Sequence, residues 1–304
     1  MIIIMDEIFV MTKKYLFIIN PTSGGWRARR YRTELQKIIN NRNLNHEIFI
    51  TQQKGDATQV VAQRASEFDV VVAVGGDGTI LEVVNGLQRH DARIGLIPLG
   101  TGNDFARGCG VPFNDIKGAM AVLLADQVKC IDLGEVNGRL FMNMLGVGFS
   151  GRGNQIAHEL PRFLGKLRYF LSMLITFMVY RSPNVTIKFD EQEMEAPLFL
   201  ANIANGPYTA GGMIVNPAAM MTSGTLELAY MPILSRLNFL RYLSKLFDGS
   251  IAAVSEISYF YSEEFILQSD EGIPVQVDGE SDFYGAKKLT VKVIPSALDV
   301  IGSW

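Results

Sequence analysis

Three glycine-rich loops carry the residue types that bind phosphate. The segment Val74–Thr79 (VGGDGT) follows an apolar run and opens a helical pattern. Glycines at such a junction let the backbone approach a ligand, and the helix N-terminus offers unpaired N–H groups and a partial positive charge. The segments Asn20–Gly25 (NPTSGG) and Pro98–Phe105 (PLGTGNDF) also mix glycine with Ser, Thr or Asn. Together they predict a nucleotide-phosphate site, which is not a P-loop because no Gly-Lys-Ser/Thr ending is present.

The elements that must position these loops alternate between strands and helices. Such alternation indicates right-handed crossovers and a mostly parallel sheet, which binds ligands at the carboxyl ends of its strands. The three loops are therefore expected at one edge of an open α/β sheet. Strands are predicted at Tyr15–Ile19, Glu47–Thr51, Val70–Val74 and Ile94–Ile97, and helices near Trp26–Asn40, Ala57–Ser66 and Thr79–Leu87.

After about Asp132 the pattern changes to short strands broken by Gly, Pro and Asn, which predicts a second, β-rich sandwich domain. We place the division at residues 1–134 and 135–304, with about 285–304 packing back on the first domain. Two helical patterns, Phe163–Val179 and Arg236–Phe247, interrupt the strands. The strands are predicted at Arg139–Leu145, Asn184–Phe189, Glu195–Asn202, Gly224–Met231, Phe265–Ser269, Pro274–Val277 and Lys288–Ile294.

Composition excludes several classes of protein. The 304 residues are 48% hydrophobic and 19% charged, which is too apolar for intrinsic disorder. The net charge of −3 argues against nucleic-acid binding. Cys109 and Cys130 cannot form a disulfide framework, so a reducing, cytoplasmic compartment is expected. Residues 1–11 carry Asp6 and Glu7 and do not read as a signal peptide, and Met11 offers an alternative start.

The segment Pro161–Arg181 is both basic and apolar. Its longest uncharged apolar run, Tyr169–Tyr180, has 12 residues, fewer than the roughly 18 to 20 that a membrane-spanning helix needs. The segment could lie on an anionic membrane surface, which predicts peripheral association with the inner face of the membrane. A core helix with a basic entry is an equal alternative.

A second glycine motif, Gly146–Gly151 (GVGFSG), matches G-x-G-x-x-G. It lies where the strand–helix alternation is expected to have ended, and no acidic residue falls about twenty positions later. We therefore do not assign a dinucleotide site to it.

The motifs together resemble the diacylglycerol kinase catalytic-domain family, in its soluble bacterial lipid kinase branch. The resemblance rests on Asn20–Gly24, on Gly75–Thr79 with Glu82 and Asn85, on Pro98–Ala106, and on Asp278–Gly279–Glu280. It runs in order from about Lys13 to the C-terminus. NAD kinases and phosphofructokinases share the glycine–aspartate motif and the general layout. The resemblance implies transfer of the γ-phosphoryl group of ATP, with Mg²⁺, to a lipid hydroxyl.

Carried over residue by residue, the resemblance implies that Glu280 is the general base and that Asp77 is also catalytic. Phosphoryl transfer requires little beyond alignment, charge neutralisation and a group that takes the hydroxyl proton. The residues implied to hold ATP are Asn20, Pro21, Thr22, Ser23, Gly24, Thr51, Gly75, Gly76, Asp77, Gly78, Thr79, Glu82, Thr101 and Asn103.

Carboxylates are natural ligands for Mg²⁺, which makes Asp77, Asp104 and Asp132 candidates. For Asp132, a role as a helix-capping or surface residue is an equal alternative to metal binding. The segment Met220–Thr225 stands where many bacterial members have an acidic residue associated with a second metal, and here Ser223 replaces it. The carbonyl oxygen of Met220 and the hydroxyl of Thr225 could still supply ligands.

The lipid site is expected in an apolar cleft. Candidate lining residues are Phe163 to Tyr180 with Met213, Ile214, Met220 and Met221, although ordinary core positions are the alternative for each. The foremost substrate is diacylglycerol, which would give phosphatidic acid. Alternative substrates are phosphatidylglycerol, a sphingoid base or NAD, and an alternative function is that of a non-catalytic regulator that binds ATP or lipid. A homodimer is also possible from the sequence.

Overall fold

The computed structural model describes residues 13–25, 28–88, 90–161, 164, 167–232, 241–242, 244–280 and 285–304. In the first part of the chain, strands and helices alternate as the sequence predicts, with ends that differ by a few residues. The elements are β1 (Lys14–Ile19), α1 (Ala28–Asn41), β2 (Asn45–Ile50), α2 (Asp56–Arg64), β3 (Val70–Gly75), α3 (Asp77–Leu87) and β4 (Arg93–Pro98).

These strands form a parallel sheet in the order β2-β1-β3-β4. Apart from Lys14 at the start of β1, the central strands β1 and β3 are apolar and buried, because helices cover both faces of such a sheet. The sequence did not predict the next three elements, α4 (Asp104–Gly108), α5 (Ile116–Ala125) and β5 (Val128–Val136).

The rest of the chain is β-rich, with two helices near its beginning. Its elements are β6 (Arg139–Phe141), β7 (Met144–Gly148), α6 (Phe149–Glu159), α7 (Leu167–Val179), β8 (Asn184–Phe189), β9 (Gln192–Pro197), β10 (Leu200–Ala204), β11 (Tyr208–Thr209), β12 (Met213–Ile214), β13 (Leu226–Met231), β14 (Ser258–Ser262), β15 (Glu264–Ile273), β16 (Val275–Val277) and β17 (Ala286–Ile301).

Two sheets enclose the second core. The first sheet continues from β4 through β17 to β15, β8 and β9, with β5 paired to β17 and β6 paired to β5. The second sheet has the order β14-β13-β10-β7-β16. Side chains such as Val147, Ile203, Leu228, Phe265 and Val291 are buried between them. The predicted fold, an α/β part with a mostly parallel sheet followed by a β-sandwich, is confirmed.

The long strand β17 joins the two parts of the fold. Its first half pairs with β15, as in the Phe265–Val291 register. Its last residues pair with β5, and Val300 lies beside Ile94 in parallel with β4. The end of the chain therefore belongs to the sheet that carries the glycine-rich loops.

Two predicted strands are wrong as single elements. Arg139–Leu145 is interrupted at Met142 and Asn143, whose N–H groups bond to the Asp278 carboxylate at 2.6 and 3.0 Å instead of to a neighbouring strand. Glu195–Asn202 is divided after Pro197, where the chain passes from one sheet to the other. Proline cannot donate a ladder hydrogen bond, which suits it to the end of an edge strand.

The Gly146–Gly151 segment does open a helix, α6, contrary to the sequence expectation. Strand β7 before it pairs antiparallel with β10 and β16, so the segment lies outside any parallel βαβ crossover. The predicted helix Phe163–Val179 is found as α7 from Leu167 onward. Half of the predicted helix Arg236–Phe247, like residues 1–11, lies outside the described residues; of the other half, residues 241–242 are helical and Ser244–Leu246 form a 3-10 helix. Within the part of the chain that the structure describes, no helix is both long and apolar enough to cross a membrane.

Candidate functional site

The three glycine-rich loops meet at the carboxyl edge of the parallel sheet. The backbone N–H of Asn20 donates to the carbonyl of Val74 at 3.0 Å, and that of Leu99 donates to the carbonyl of Gly75 at 2.7 Å. The loops after β1, β3 and β4 are therefore neighbours, as the sequence predicts.

Two of these loops touch backbone to backbone. A Cβ atom on Gly100 would lie only 2.5 Å from the Cα of Gly76 and 2.8 Å from the Oδ1 of Asn103. Contacts this short exclude any side chain at position 100 unless the backbone moves. Glycine is required here by the close approach of the two loops.

Asp77 links the Pro98–Phe105 loop to the Val74–Thr79 loop. Its carboxylate accepts the N–H of Asn103 at 2.7 Å and that of Phe105 at 3.4 Å. Asn103 is buried with a φ of +54°, and its side chain bonds to the N–H and carbonyl of Gly100 at 2.8 and 2.9 Å. Both residues hold the loop in shape in addition to any contact with a ligand.

Asn20 holds the Asn20–Gly25 loop in place. Its Nδ2 donates to the hydroxyl of Thr79 at 3.2 Å, and its Oδ1 accepts from the N–H and hydroxyl of Thr22 at 3.0 and 2.8 Å. Thr51 is buried beside the same strand, where its N–H donates to Ile19 at 3.0 Å. The structure thus brings Asn20, Thr51 and Thr79 together.

Other predicted nucleotide residues differ in their surroundings. Thr101 is exposed, whereas the Glu82 carboxylate accepts the N–H of Ala57 at 3.3 Å and so supports the beginning of α2. Pro21 and Ser23 line a small pocket with Tyr31 and Leu99.

Gly78 occupies the first turn of α3 and faces open space. A Cβ atom there would meet no heavy atom within 4 Å. Neither packing nor a positive φ requires glycine at this position, and glycine inside a helix costs about 1 kcal/mol relative to alanine. No side chain caps this helix, whose N-cap residue is Gly76. The surface above Gly78 is therefore free for a ligand to approach the helix N-terminus.

The Asp278–Gly279–Glu280 turn projects from the second part of the chain. Asp278 has a φ of +46°, and its carboxylate accepts the N–H groups of Met142, Asn143 and Met144 at 2.6 to 3.0 Å. Backbone hydrogen bonds of 2.8 Å join Val277 and Glu280 in both directions. The turn is consequently fixed at the backbone.

Burial, with a smaller contribution from the charge of Asp77, raises the pKa of Asp278 to about 6, although the three backbone N–H groups act in the opposite direction. Asp104, on α4, is buried too, and its carboxylate accepts the N–H of Gly212 at 2.7 Å and that of Gly211 at 3.0 Å. Burial raises the pKa of Asp104, with the Asp77 charge again contributing. The charge of Asp77 therefore acts on both Asp104 and Asp278. The hydrogen bonds of Asp104 also join α4 of the first part to the loop between β11 and β12.

Asp132 ties three segments together. Its Oδ2 accepts the N–H of Gly224 and its Oδ1 that of Ser296, each at 2.8 Å. It is therefore close to the predicted Met220–Thr225 segment, in which the Ser223 hydroxyl lies 3.0 Å from the Met220 carbonyl and 2.9 Å from that of Thr225. Across the described ranges, no group of three or more His, Cys, Asp or Glu side chains has metal-binding geometry.

The candidate lipid-lining residues separate into buried and exposed ones. Met221 is buried against Gly108 and Gly206, whereas Met220 is 60% exposed. Met213 and Ile214 form the short strand β12 and are half-buried.

Sequence reasoning missed Lys54, whose ammonium lies 2.7 Å from the Glu280 carboxylate. The two residues are 226 positions apart, and no local pattern marks such a contact. It also missed Asn143 and Asn205, whose buried Oδ1 atoms have no hydrogen-bond partner among the described residues.

Comparisons with known proteins agree with this geometry. Residues 14–136 match the family model of the diacylglycerol kinase catalytic domain, and residues 143–302 match that of the YegS C-terminal NAD kinase beta sandwich-like domain. A diacylglycerol kinase of Bacillus subtilis is 31% identical over 88% of this chain and 90% of its own length. A probable YegS-like lipid kinase of Pseudomonas aeruginosa is 32% identical over 83% of this chain and 82% of its own.

A solved structure is also similar. The crystal structure of a putative diacylglycerol kinase from Bacillus anthracis superposes with a TM-score of 0.81 and 28% identity, covering 96% of this chain and 98% of that one. The fold and the three glycine-rich loops define the class of protein, a phosphotransferase. The chain belongs to the diacylglycerol kinase catalytic-domain family, as the resemblance predicted.

We predict that Gly100→Ala destabilises the protein by about 1 to 3 kcal/mol, because the added methyl group overlaps the Gly76 backbone. Chemical denaturation measures the change. Gly78→Ala is the matched control, since its methyl group enters open space and alanine is the better helix former. Equal stability of Gly100→Ala and Gly78→Ala would contradict the close contact.

We predict that Asp278 makes stability fall as pH rises. Its pKa is raised in the folded state, so its contribution is complete below pH 4 and is lost as pH passes through about 6. Thermal unfolding in EDTA from pH 4 to 7 should show wild type losing stability relative to Asp278→Asn, by an amount on the order of 1 to 3 kcal/mol. Asp270→Asn, at an exposed position, is the control. Parallel curves for wild type and Asp278→Asn would refute the prediction.

Proposed function

We propose that this enzyme transfers the γ-phosphoryl group of ATP, with Mg²⁺, to the hydroxyl of a lipid, and that diacylglycerol is the substrate and phosphatidic acid the product. Its relatives are named diacylglycerol kinase and probable lipid kinase, which supports a lipid kinase. The observation that carries the proposal is the meeting of the three glycine-rich loops at one sheet edge, with the Asp278–Glu280 turn from the other part of the chain within electrostatic reach of Asp77.

The nucleotide phosphates would lie over the N-terminus of α3. The open surface at Gly78 and the missing side-chain cap at Gly76 support this placement. Helix N-termini favour phosphate through their N–H groups and their dipole. Asn20, Thr22 and Thr79 offer further polar groups at the side of the same cradle.

The donor set fits Mg²⁺ at Asp77 and Asp104. The Asp77 charge acts on both Asp104 and Asp278, and a divalent cation would relieve the repulsion between these carboxylates. Mg²⁺ prefers oxygen ligands and, when bound, neutralises charge on the phosphates. Asp132, Met220, Ser223 and Thr225 stay a prediction for a second metal.

Glu280 would act as the general base. It lies on a turn held at the backbone, its side chain is partly exposed, and a lipid hydroxyl could reach it from the cleft. As the hydroxyl oxygen bonds to the γ-phosphorus and the bond to ADP breaks, Glu280 takes the hydroxyl proton.

The experiment measures transfer of labelled γ-phosphate from ATP with Mg²⁺ in mixed micelles. The acceptors are diacylglycerol, phosphatidylglycerol, sphingosine and ceramide, with NAD as the soluble control. We expect labelled phosphatidic acid. Labelling of another lipid would reassign the substrate, labelling of NAD alone would contradict a lipid kinase, and ATP binding without any product would favour a regulator.

In the same assay, we predict that Glu280→Gln lowers kcat about 100-fold or more, because the amide cannot accept the proton. ATP affinity, measured by calorimetry, should change less than about threefold, because the variant leaves the cradle intact. Glu263→Gln, at an exposed turn, is the control for charge loss. Undiminished transfer by Glu280→Gln would remove Glu280 from the role of base.

We further propose that α7 lies on the membrane surface. Two polar side chains of the helix are buried: Ser172 and Thr176 are 2% and 0% exposed, and the Thr176 hydroxyl donates to the Ser172 carbonyl at 2.6 Å. Its exposed face carries the apolar residues Leu167, Leu174, Ile175, Met178 and Val179. This arrangement is the reverse of that in an ordinary surface helix, and it favours an apolar environment outside.

Replacing Ile175 and Met178 together by Asp should weaken binding to vesicles of anionic phospholipid at least about tenfold, because two apolar side chains would no longer enter the lipid. Sedimentation with vesicles measures binding. Phosphorylation of a short-chain, water-soluble diacylglycerol should be preserved. Trp304→Asp, which changes an exposed aromatic residue elsewhere, is the control, and unchanged vesicle binding by the α7 variant would exclude this surface.

A further inference from the structure

The loop between β2 and α2 carries a cation that reaches the other part of the fold. Lys54 Nζ lies 2.7 Å from Glu280 Oε2. The Lys54 side chain is 73% exposed and that of Glu280 34%. The ion pair is therefore exposed to solvent, where both side chains can be reached from outside.

The backbone is fixed on both sides of this pair. On the Lys54 side, the Asp56 carboxylate accepts the N–H groups of Gln52 and Gln53 at 2.8 and 3.0 Å. On the Glu280 side, the Val277–Glu280 hydrogen bonds and the three N–H groups on Asp278 hold the turn. The remaining freedom of the Glu280 carboxylate lies in its side-chain torsions, and Lys54 is the side chain seen to bond to it in the described residues.

A partly exposed glutamate has several rotamers, and only some of them face an acceptor hydroxyl. A short hydrogen bond between two charged groups limits that choice. Arg139, on β6, lies within electrostatic reach of Glu280 and of Asp278, so positive charge is also present from the second part of the chain. Lys54 differs because it comes from the part that carries the nucleotide loops.

We propose that Lys54 is a positioning residue: its ammonium group orients the Glu280 carboxylate between the nucleotide loops and the lipid hydroxyl. The inference rests on the proposed function, in which Glu280 is the base. Lys54 neither takes nor gives a proton in this role, since the hydroxyl proton passes to Glu280 and the γ-phosphoryl group passes from ATP to the lipid oxygen, with ADP as the leaving group. It acts only through Glu280.

The first test separates kcat from KM. We expect Lys54→Met to lower kcat for lipid phosphorylation about tenfold, with the KM for ATP changed less than twofold, because a misplaced base slows the chemical step. Lys54→Arg should recover most of the lost kcat, since it restores a positive donor. Lys188→Met is the control: Lys188 forms a similar exposed ion pair, with Glu193 at 3.0 Å, between β8 and β9.

The second test places the same change in a background without the base. If Lys54 acts through Glu280, Lys54→Met should lower the residual rate of Glu280→Gln less than twofold. An equal loss in both backgrounds, or a raised KM for ATP with unchanged kcat, would overturn the proposal. Lys54→Gln provides a second variant should the Met variant unfold, which thermal unfolding would reveal.

The wild-type rate in the same assay distinguishes a failure of the proposed function from a failure of the role of Lys54 alone. Inactive wild type on every lipid would contradict the proposed function and the role of Lys54 with it. Active wild type with undiminished kcat in Lys54→Met and Lys54→Gln would contradict the role of Lys54 alone.

Discussion

Carboxylates bonded to backbone N–H groups are the interaction on which the candidate site depends. Asp278 accepts three such groups from the segment between β6 and β7, and Asp104 accepts two from the loop between β11 and β12. Isolated buried charge is costly, but hydrogen bonds from the backbone offset part of that cost and define one geometry. The negative charge of Asp77 contributes to the raised pKa of Asp104 and to that of Asp278.

This constraint explains why the two parts of the fold meet where phosphate chemistry is expected. The parallel sheet supplies three loops at one edge, with Gly76 and Gly100 in backbone contact. Strand β17 carries the sandwich into that same sheet and ends beside β4. Asp104 then holds the β11–β12 loop against α4, while Asp278 sets the turn that presents Glu280. Contacts between residues distant in sequence thereby bring the loops and the carboxylate turn within electrostatic reach of each other.

Much of the fold could be predicted because its signals are local. Apolar runs such as Val70–Val74 report burial on both faces, and the glycine loops mark where parallel strands end. The interruption at Met142 and the crossing after Pro197 could not be predicted, since each depends on a partner far along the chain. Helix α6 was missed because its strand is antiparallel and no alternation announces it.

The candidate site divides in the same way. Asp77, Asn103 and Thr79 could be found from motifs, and the structure places them together with Asn20. The contact of Lys54 with Glu280 and the tie of Asp132 to Gly224 and Ser296 have no local signature, because surface rotamers and long-range backbone contacts create them.

A crystal structure with a non-hydrolysable ATP analogue, Mg²⁺ and a short-chain diacylglycerol would test the central claim most directly. We expect the triphosphate to lie over the α3 N-terminus at Gly78, with Mg²⁺ on Asp77 or Asp104 and the Glu280 carboxylate beside the lipid hydroxyl. A nucleotide bound away from the three loops, or a lipid hydroxyl remote from Glu280, would contradict it.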